Sequence, residues 1–492
     1  MSRFIRTGLL AVALVAAAIA FPALARAALP ANDDFANATV IDEASLPFSD
    51  SVAIDDATLE SGEPSGCYFA GKSIWYSITP SSRGVLRADI GSSSFFDRVL
   101  YVYREDNSGF GGLSTIACAS PYYNGQSSAT FSVEAGKTYY LQVGGFYSSS
   151  IGTLSLSLHS IPAPANDDFA NATIVGSLPF SDSVDATGAG VESDEPTPSC
   201  GYGQSAGTVW YSFTPSVSGS YSASAPWNGF YSQVAAYTGS GLGNLTNLGC
   251  RAFGQLLTFQ ADAGQTYYLQ VGGIFGGRGT IILKLDEAPK PVASFGFNPS
   301  DPSVFDTVQF YDFSFDPAGV GIQSETWDFG DGGTASNPGC CPRHQYAADG
   351  DYTVRLSVTT SDGRTATSAP QAVHVRTHDV VIAKILVPQT ASVGQTRQIS
   401  VGLTNSRYPE TVEVRLLKSI AGGGWQQVGV LTQYVPLRPG NRTSNFNFNY
   451  TFAPEDATLG KVTFQAVATI QGARDAIQAD NTFISLPTKV VR

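Results

Sequence analysis

The side chains able to do chemistry are few in this chain of 492 residues: four histidines, six cysteines, clusters of Asp with Asn, and loop aromatics. His159, His344, His374 and His378 lie apart; none falls in a His-Glu-x-x-His pattern, and there is no Gly-x-Ser-x-Gly elbow or phosphate-binding Gly loop. Hydrolysis needs a nucleophile with its base, a metal with its ligands, or two opposed carboxylates. The expectation is a chain with no catalytic site of its own. Hard oxygen ligands gather at Asn32-Asp33-Asp34, at Asn166-Asp167-Asp168, and at Asp312, Asp316, Asp328 and Asp331. Calcium takes roughly six to eight oxygens from carboxylates and carbonyls on loops, so it is the one cofactor anticipated, at the last four aspartates. Turn formation and strand capping by the same residues is the competing reading. No cysteine or histidine set has zinc spacing.

Loop aromatics offer flat apolar area to sugar rings or partner proteins. Phe95-Phe96, Tyr122-Tyr123, Phe146-Tyr147, Trp227, Phe230-Tyr231 and Phe275 are of this kind. Strand alternation buries one of each neighbouring pair, which leaves Tyr123, Tyr147, Trp227 and Tyr231 as surface contact candidates.

The N-terminus reads as a secretory leader: Arg3 and Arg6, an apolar run from Leu9 to Phe21, then Ala25-Arg26-Ala27, with cleavage after Ala27. Residues 1–27 are therefore expected to be removed, and the mature chain to act outside the cell or at its surface without membrane insertion. Loss of three arginines with the leader leaves 25 basic against 41 acidic side chains. An acidic surface repels phosphate backbones, so nucleic acid is excluded as a partner.

The elements that position these residues are revealed by an internal duplication. Asn32-Asp33-Asp34-Phe35-Ala36-Asn37-Ala38-Thr39 recurs from Asn166 to Thr173, and the block Leu46–Val52 recurs from Leu178 to Val184. Ser73-Ile74-Trp75-Tyr76-Ser77-Ile78-Thr79-Pro80 matches the stretch Thr208–Pro215, and Thr138–Gly145 is repeated letter for letter from Thr266 to Gly273. Ile74, Tyr76 and Ile78 form one apolar face with the small polar Ser77 alternating, and Leu154, Leu156 and Leu158 keep the same period of two; this predicts antiparallel strands with one buried and one wet face. The duplication also sets Cys67 and Cys118 against Cys200 and Cys250, which predicts one disulfide per copy. Adjacent Cys340 and Cys341 could close a vicinal bridge or pair with another molecule.

On these blocks the two copies resemble the bacterial pre-peptidase C-terminal family, a β-sandwich found on secreted peptidases and in non-enzymatic surface proteins. The resemblance covers about 32–158 and 166–286 and includes the strand Phe96-Asp97-x-Val99-Leu100-x-Val102-Tyr103, with Ser232 set against Asp97 in the second copy. Further on, Trp327-Asp328-Phe329-Gly330-Asp331-Gly332, His344-x-Tyr346 and Gly350–Val358 resemble the polycystic-kidney-disease (PKD) repeat, an immunoglobulin-like sandwich, and Asp312 and Asp316 fall in its Asp-rich loop. Asp379-Val380-Val381-Ile382, Ser392–Thr396, Val401–Asn405 and Ala479-Asp480-Asn481-Thr482 resemble the cell-adhesion-related domain of bacteria (CARDB). Calcium near domain edges is what these resemblances imply.

The fold expected is all-β: four tandem sandwiches at 28–161, 162–288, 289–376 and 377–492, in a row stiffened by the Pro-containing links Pro162-Ala163-Pro164 and Ala288-Pro289-Lys290-Pro291. The function expected is non-catalytic binding or adhesion to an extracellular polysaccharide, protein matrix or cell envelope. A structural spacer that self-associates through sheet edges is the alternative, and an accessory subunit or unrecognised secreted hydrolase a further one.

Overall fold

A computed structural model of the chain describes residues 29–64, 71–93, 97–121, 125–201, 206–438 and 442–492. The leader, Cys67 and Tyr123 lie outside the described residues. Strands dominate throughout, and the α-helix Pro454–Leu459 is six residues long. Among the described residues no helix is long and apolar enough to cross a membrane. The chain falls into two compact units, one built from residues up to Asp286 and the other from Glu287–Arg492 together with the short segments Ser218–Ser222 and Thr258–Ala261.

Both copies fold identically. In the first, a five-stranded sheet runs in the order Thr39–Ile41, Lys72–Ile78, Tyr139–Gly145, Arg98–Glu105, Leu113–Ala119. A four-stranded sheet, in the order Phe48–Ala53, Thr153–Ile161, Gly84–Ser92, Ser128–Val133, faces it. The second copy repeats both orders strand for strand. The sheets are antiparallel except at one edge, where Thr39–Ile41 runs parallel to Lys72–Ile78. Ile74, Tyr76, Leu141, Leu156 and Leu158 fill the space between the sheets.

The strand carrying Trp75 departs from the expected alternation, because every residue of Lys72–Ile78 is buried. Its outer face carries a second apolar cluster, in which Trp75 meets Phe35 edge-on at 5.2 Å and Tyr103 at 5.9 Å. A half-buried carboxylate serves the polar atoms there: Glu63 accepts from Trp75 Nε1 at 2.8 Å, Gln142 Nε2 at 2.9 Å and Ser73 Oγ. In the second copy Glu195 accepts from Gln270 Nε2 at 2.8 Å and from Thr208 Oγ1. Burial pushes both glutamic acids above the ordinary carboxylate range.

Strand register corrects one correspondence. Arg98 opposes Gly145 as Ser232 opposes Gly273, so Arg98 and Ser232 are equivalent and Tyr231, not Ser232, takes the place of Asp97. The backbone agrees, since Phe146 N–H donates to Asp97 and Ile274 N–H donates to Tyr231, at 2.8 and 2.9 Å.

Between Phe295 and Val375 a three-stranded sheet (Phe295–Asn298, Val308–Asp312, Arg343–His344) packs on a sheet built around Ile322–Asp328 and Gly350–Thr360. Trp327 is fully buried and stands within 5.6 Å of both Phe295 and Phe310. From Val380 onward the core strands are Thr396–Asn405, Glu410–Ser419, Ser444–Thr451 and Phe464–Ile470, and their alternate residues Val401, Val414, Phe446 and Ala466 are fully buried.

Candidate functional site

The strongest surface feature lies at one end of the second copy. Gln233 opposes Gly272 on one side and Ala252 on the other, so three adjacent strands reach the same end in register. The residues just beyond that register emerge together. Tyr231 immediately precedes the strand Ser232–Thr238, Phe253 follows Ala252, and Phe275 lies just past the strand Tyr267–Gly273. The Tyr231 and Phe253 rings meet at 5.1 Å, tilted by 71°, and Phe253 lies 6.5 Å from Phe275. The backbone of Trp227 passes beside Gly254, the residue after Phe253: a Cβ there would stand 3.9 Å from Trp227 N. Exposure is 50% at Tyr231, 65% at Trp227, 43% at Phe253 and 68% at Phe275.

Two of these aromatics sit on strained backbone. Phe253 has φ +60° and Phe275 has φ +55°, a left-handed region in which a Cβ crowds the following carbonyl at a cost of roughly 1–2 kcal/mol per residue. Such strain persists where surrounding structure enforces it, and it concentrates at functional sites. The enforcing structure is visible next door. Phe230 lies over a run of glycines, and a Cβ on Gly277 would come within 2.7 Å of its ring. That close approach lets the loop 274–279 fold tightly and hold Phe275 outward.

Of the candidate aromatics read from sequence, Tyr231 belongs to this row and Trp227 lies on the loop beside it. Tyr147, half exposed, occupies in the first copy the position of Phe275, with its ring 4.7 Å from Phe146. Phe253 was not among the sequence candidates. Its signal was the following Gly254 directly after a strand, which marks a hairpin tip rather than core.

The four aspartates expected to hold calcium are not brought together, because each is committed locally. Asp316 accepts both outer nitrogens of Arg364, at 2.8 and 2.9 Å, and the N–H groups of Ala318, Val320 and Gly321. Burial opposes its charge, but those donors outweigh burial and hold the carboxyl below its ordinary value. Asp331 accepts from Gly333 N–H and pairs with His344 Nε2 at 2.7 Å, while Asp312 and Asp328 close turns on Ser314 and Gly330. The Asn-Asp-Asp motifs are likewise structural: Asn32 donates to the carbonyl of Trp75, and Asp33 accepts from Thr58. Among the described residues, the carboxylates that do converge are Asp379, Asp475 and Asp480, with ligand atoms within 4.8 Å of one another.

Each histidine faces a carboxylate: His344 with Asp331, His374 with Asp351, His378 with Glu410, and His159 with Asp89 at 3.8 Å. Among the described residues none of them hydrogen-bonds a hydroxyl or thiol. Cys200 and Cys250 form a disulfide. Cys118 is also disulfide-bonded, and Cys67, the partner that the duplication assigns to it, lies outside the described residues. Cys340 and Cys341 are free thiols, contrary to the vicinal bridge considered for them. Adjacent residues across a trans peptide place their Cα atoms about 3.8 Å apart, shorter than the roughly 4.4–6.8 Å that an ordinary disulfide spans.

Residues 288–375 match the family model described as PKD domain. A microbial collagenase of Vibrio alginolyticus is 33% identical over 154 residues, 30% of this chain, and this chain spans only 17% of that protein. The PKD1 domain of Vibrio anguillarum Epp is 33% identical, covering 18% of this chain and all of that domain, with a TM-score of 0.16. A CARDB domain of the PF1109 protein from Pyrococcus furiosus, solved with di-metal ions, is 16% identical over 24% of this chain and 90% of that one, with a TM-score of 0.19. The chain is thus an assembly of β-sandwich modules. Its third module, by family match, is a PKD domain.

Proposed function

We propose that this protein is a non-catalytic binding protein that holds an insoluble extracellular polymer through the aromatic row at the end of its second module. The observation that carries this reading is the pair Phe253 and Phe275, apolar rings kept in solvent on left-handed backbone. Ring contacts with Tyr231 and between the two phenylalanines cover part of this area, yet Phe253 stays 43% and Phe275 68% exposed, and water disfavours that remainder. A ligand laid over the row would cover it. Tyr147 at the matching position of the first copy supports a second, weaker contact, and linked weak contacts add through effective concentration on a repetitive target.

The likeness to a collagenase makes a protein matrix of collagen the first polymer to test. Mature protein is co-sedimented with insoluble collagen, chitin, cellulose and bacterial envelope, alongside a Trp227→Ala, Phe275→Asn variant. Pelleting with one matrix that the double variant loses supports the proposal. No pelleting with any matrix, together with concentration-dependent assembly, replaces it by the self-associating spacer.

A further inference from the structure

The acidic convergence in the last module is a second, independent feature. Asp379 precedes the strand Val380–Leu386, and Asp475 and Asp480 lie in the segment that follows the strand Phe464–Ile470. The three carboxylates come within 4.8 Å of one another; Arg407 acts on Asp379 from outside the group, and Arg474, beside it, is turned to Asp301. Asp379 Oδ1 and Asp480 Oδ1 are buried and receive no donor, and the same holds for Oδ1 of the adjacent Asn481. The Asn481 side chain is only 6% exposed, and it lines with Asp475 a cavity of about 320 Å³. Two orphaned carboxylate oxygens inside the group, with a third orphaned acceptor on the next residue along the chain, call for a positively charged occupant; the buried Arg474 Nε nearby does not fill that role, as it faces Asp301 at 3.7 Å.

We propose that Asp379, Asp475 and Asp480, with Asn481 Oδ1, hold a hard divalent cation, calcium by preference. The donor set is all oxygen, without the sulfur or imidazole that zinc and copper favour, and its high negative charge suits a divalent ion. Burial and the neighbouring Asp480 and Asp475 carboxylates push Asp379 up to about 6, the mutual repulsion that such an ion relieves.

The surrounding bonds give the ion a consequence. Asp475 accepts from Val380 N–H at 3.2 Å and Ile477 N–H at 2.9 Å, and Ala476 N–H donates to the carbonyl of His378 at 2.8 Å. The next residue back, Arg474, reaches the PKD domain, donating to the Asp301 carbonyl at 3.2 Å and pairing with Asp306. A cation at the three aspartates therefore braces the joint between the third and fourth modules, clamping the segment Arg474–Asn481 to the linker at His378-Asp379.

The test uses the mature chain, stripped with chelator and titrated calorimetrically with calcium chloride. Asp379→Asn and Asp480→Asn remove charge without changing shape; Asp331→Asn, outside the group, is the control. Wild type and control should bind with an affinity of roughly 10⁻⁴–10⁻³ M, as extracellular modules do. Each group variant should weaken binding by about tenfold or more. Calcium should also slow tryptic cleavage after Arg474 in wild type and not in the variants. This protease arm and the wild-type titration stand even if a variant fails to fold. No calcium uptake by wild type up to about 10 mM, well above that range, overturns the assignment, as does uptake unchanged in both variants.

Discussion

Replacing Phe275 by Asn separates a binding role from a packing role, because the two predict opposite patterns. The ring is 68% exposed, so it buries about a third of the roughly 150–250 Å² that a fully buried aromatic removes from water. At about 25 cal/mol per Å² the lost contact costs roughly 1–2 kcal/mol. Asn tolerates φ +55° far better than Phe, and relief of that strain returns roughly 1–2 kcal/mol. Net stability should therefore change by less than about 1 kcal/mol, against roughly 3–5 kcal/mol for losing a core Phe. Phe253→Asn should be costlier, since that ring is only 43% exposed. Matrix affinity should fall by about 2 kcal/mol or more, some thirtyfold, if Phe275 anchors the contact. Urea unfolding and pelleting isotherms on the same preparations decide it. A stability loss of 3 kcal/mol or more with unchanged pelleting would refute the reasoning and make Phe275 a packing residue.

Three further outcomes are expected. The Cys200–Cys250 bridge spans a separation of 50 residues, so replacing both cysteines by Ser should cost about 4 kcal/mol in urea unfolding. Asp362 is held down to about 2: burial works against its charge, but the Arg364 and Thr360 hydrogen bonds outweigh burial. Its folded value lies below its unfolded value, so its contribution is full above about pH 4. That contribution, on the order of 1–2 kcal/mol, should be lost as pH falls towards 2, and Arg364→Met should flatten this part of an acid-unfolding profile. Asp456, fully buried, accepts from Lys418 Nζ at 2.8 Å, Tyr450 Oη at 2.6 Å and Ala453 N–H at 2.9 Å. Asp456→Ala strands the lysine charge and should cost roughly 3–5 kcal/mol; a loss under 1 kcal/mol in urea unfolding would overturn that view of the pair.

The architecture was legible because repeated blocks and period-two alternation report directly on which side of a strand meets the core. The legibility ended where a second layer covers a sheet. Ser77 looks like the wet side of its strand, yet it is buried because Trp75 and its neighbours build a further cluster on that face. Acidic residues are hard to read for a related reason. Asp312, Asp316, Asp328 and Asp331 are close in sequence pattern, and in the fold each caps a turn by accepting from nearby backbone N–H groups. Asp379 and Asp480 are about 100 residues apart and converge only through strand pairing, which spacing cannot reveal. Tyr231 was found from its pairing with Phe230, whereas Phe253 needed the register of three strands to place it.

The letter-for-letter identity of Thr138–Gly145 and Thr266–Gly273 bears on how faithfully the chain assembles. Each stretch supplies the central strand of its five-stranded sheet, so either one offers the other's neighbours the same backbone ladder and the same side chains. An exchange between copies would carry no local penalty by which a folding chain could sense the error. The flanking strands do differ: Leu100, Tyr101 and Val102 in the first copy stand where Val234, Ala235 and Ala236 stand in the second. That difference lies beside the shared strand and is unaltered by the exchange. Order of emergence remains as the safeguard. An N-terminal module that closes before the second copy has left the ribosome removes its central strand from competition. Refolding from denaturant, where both copies are present at once, loses that protection and should yield exchanged species that synthesis avoids.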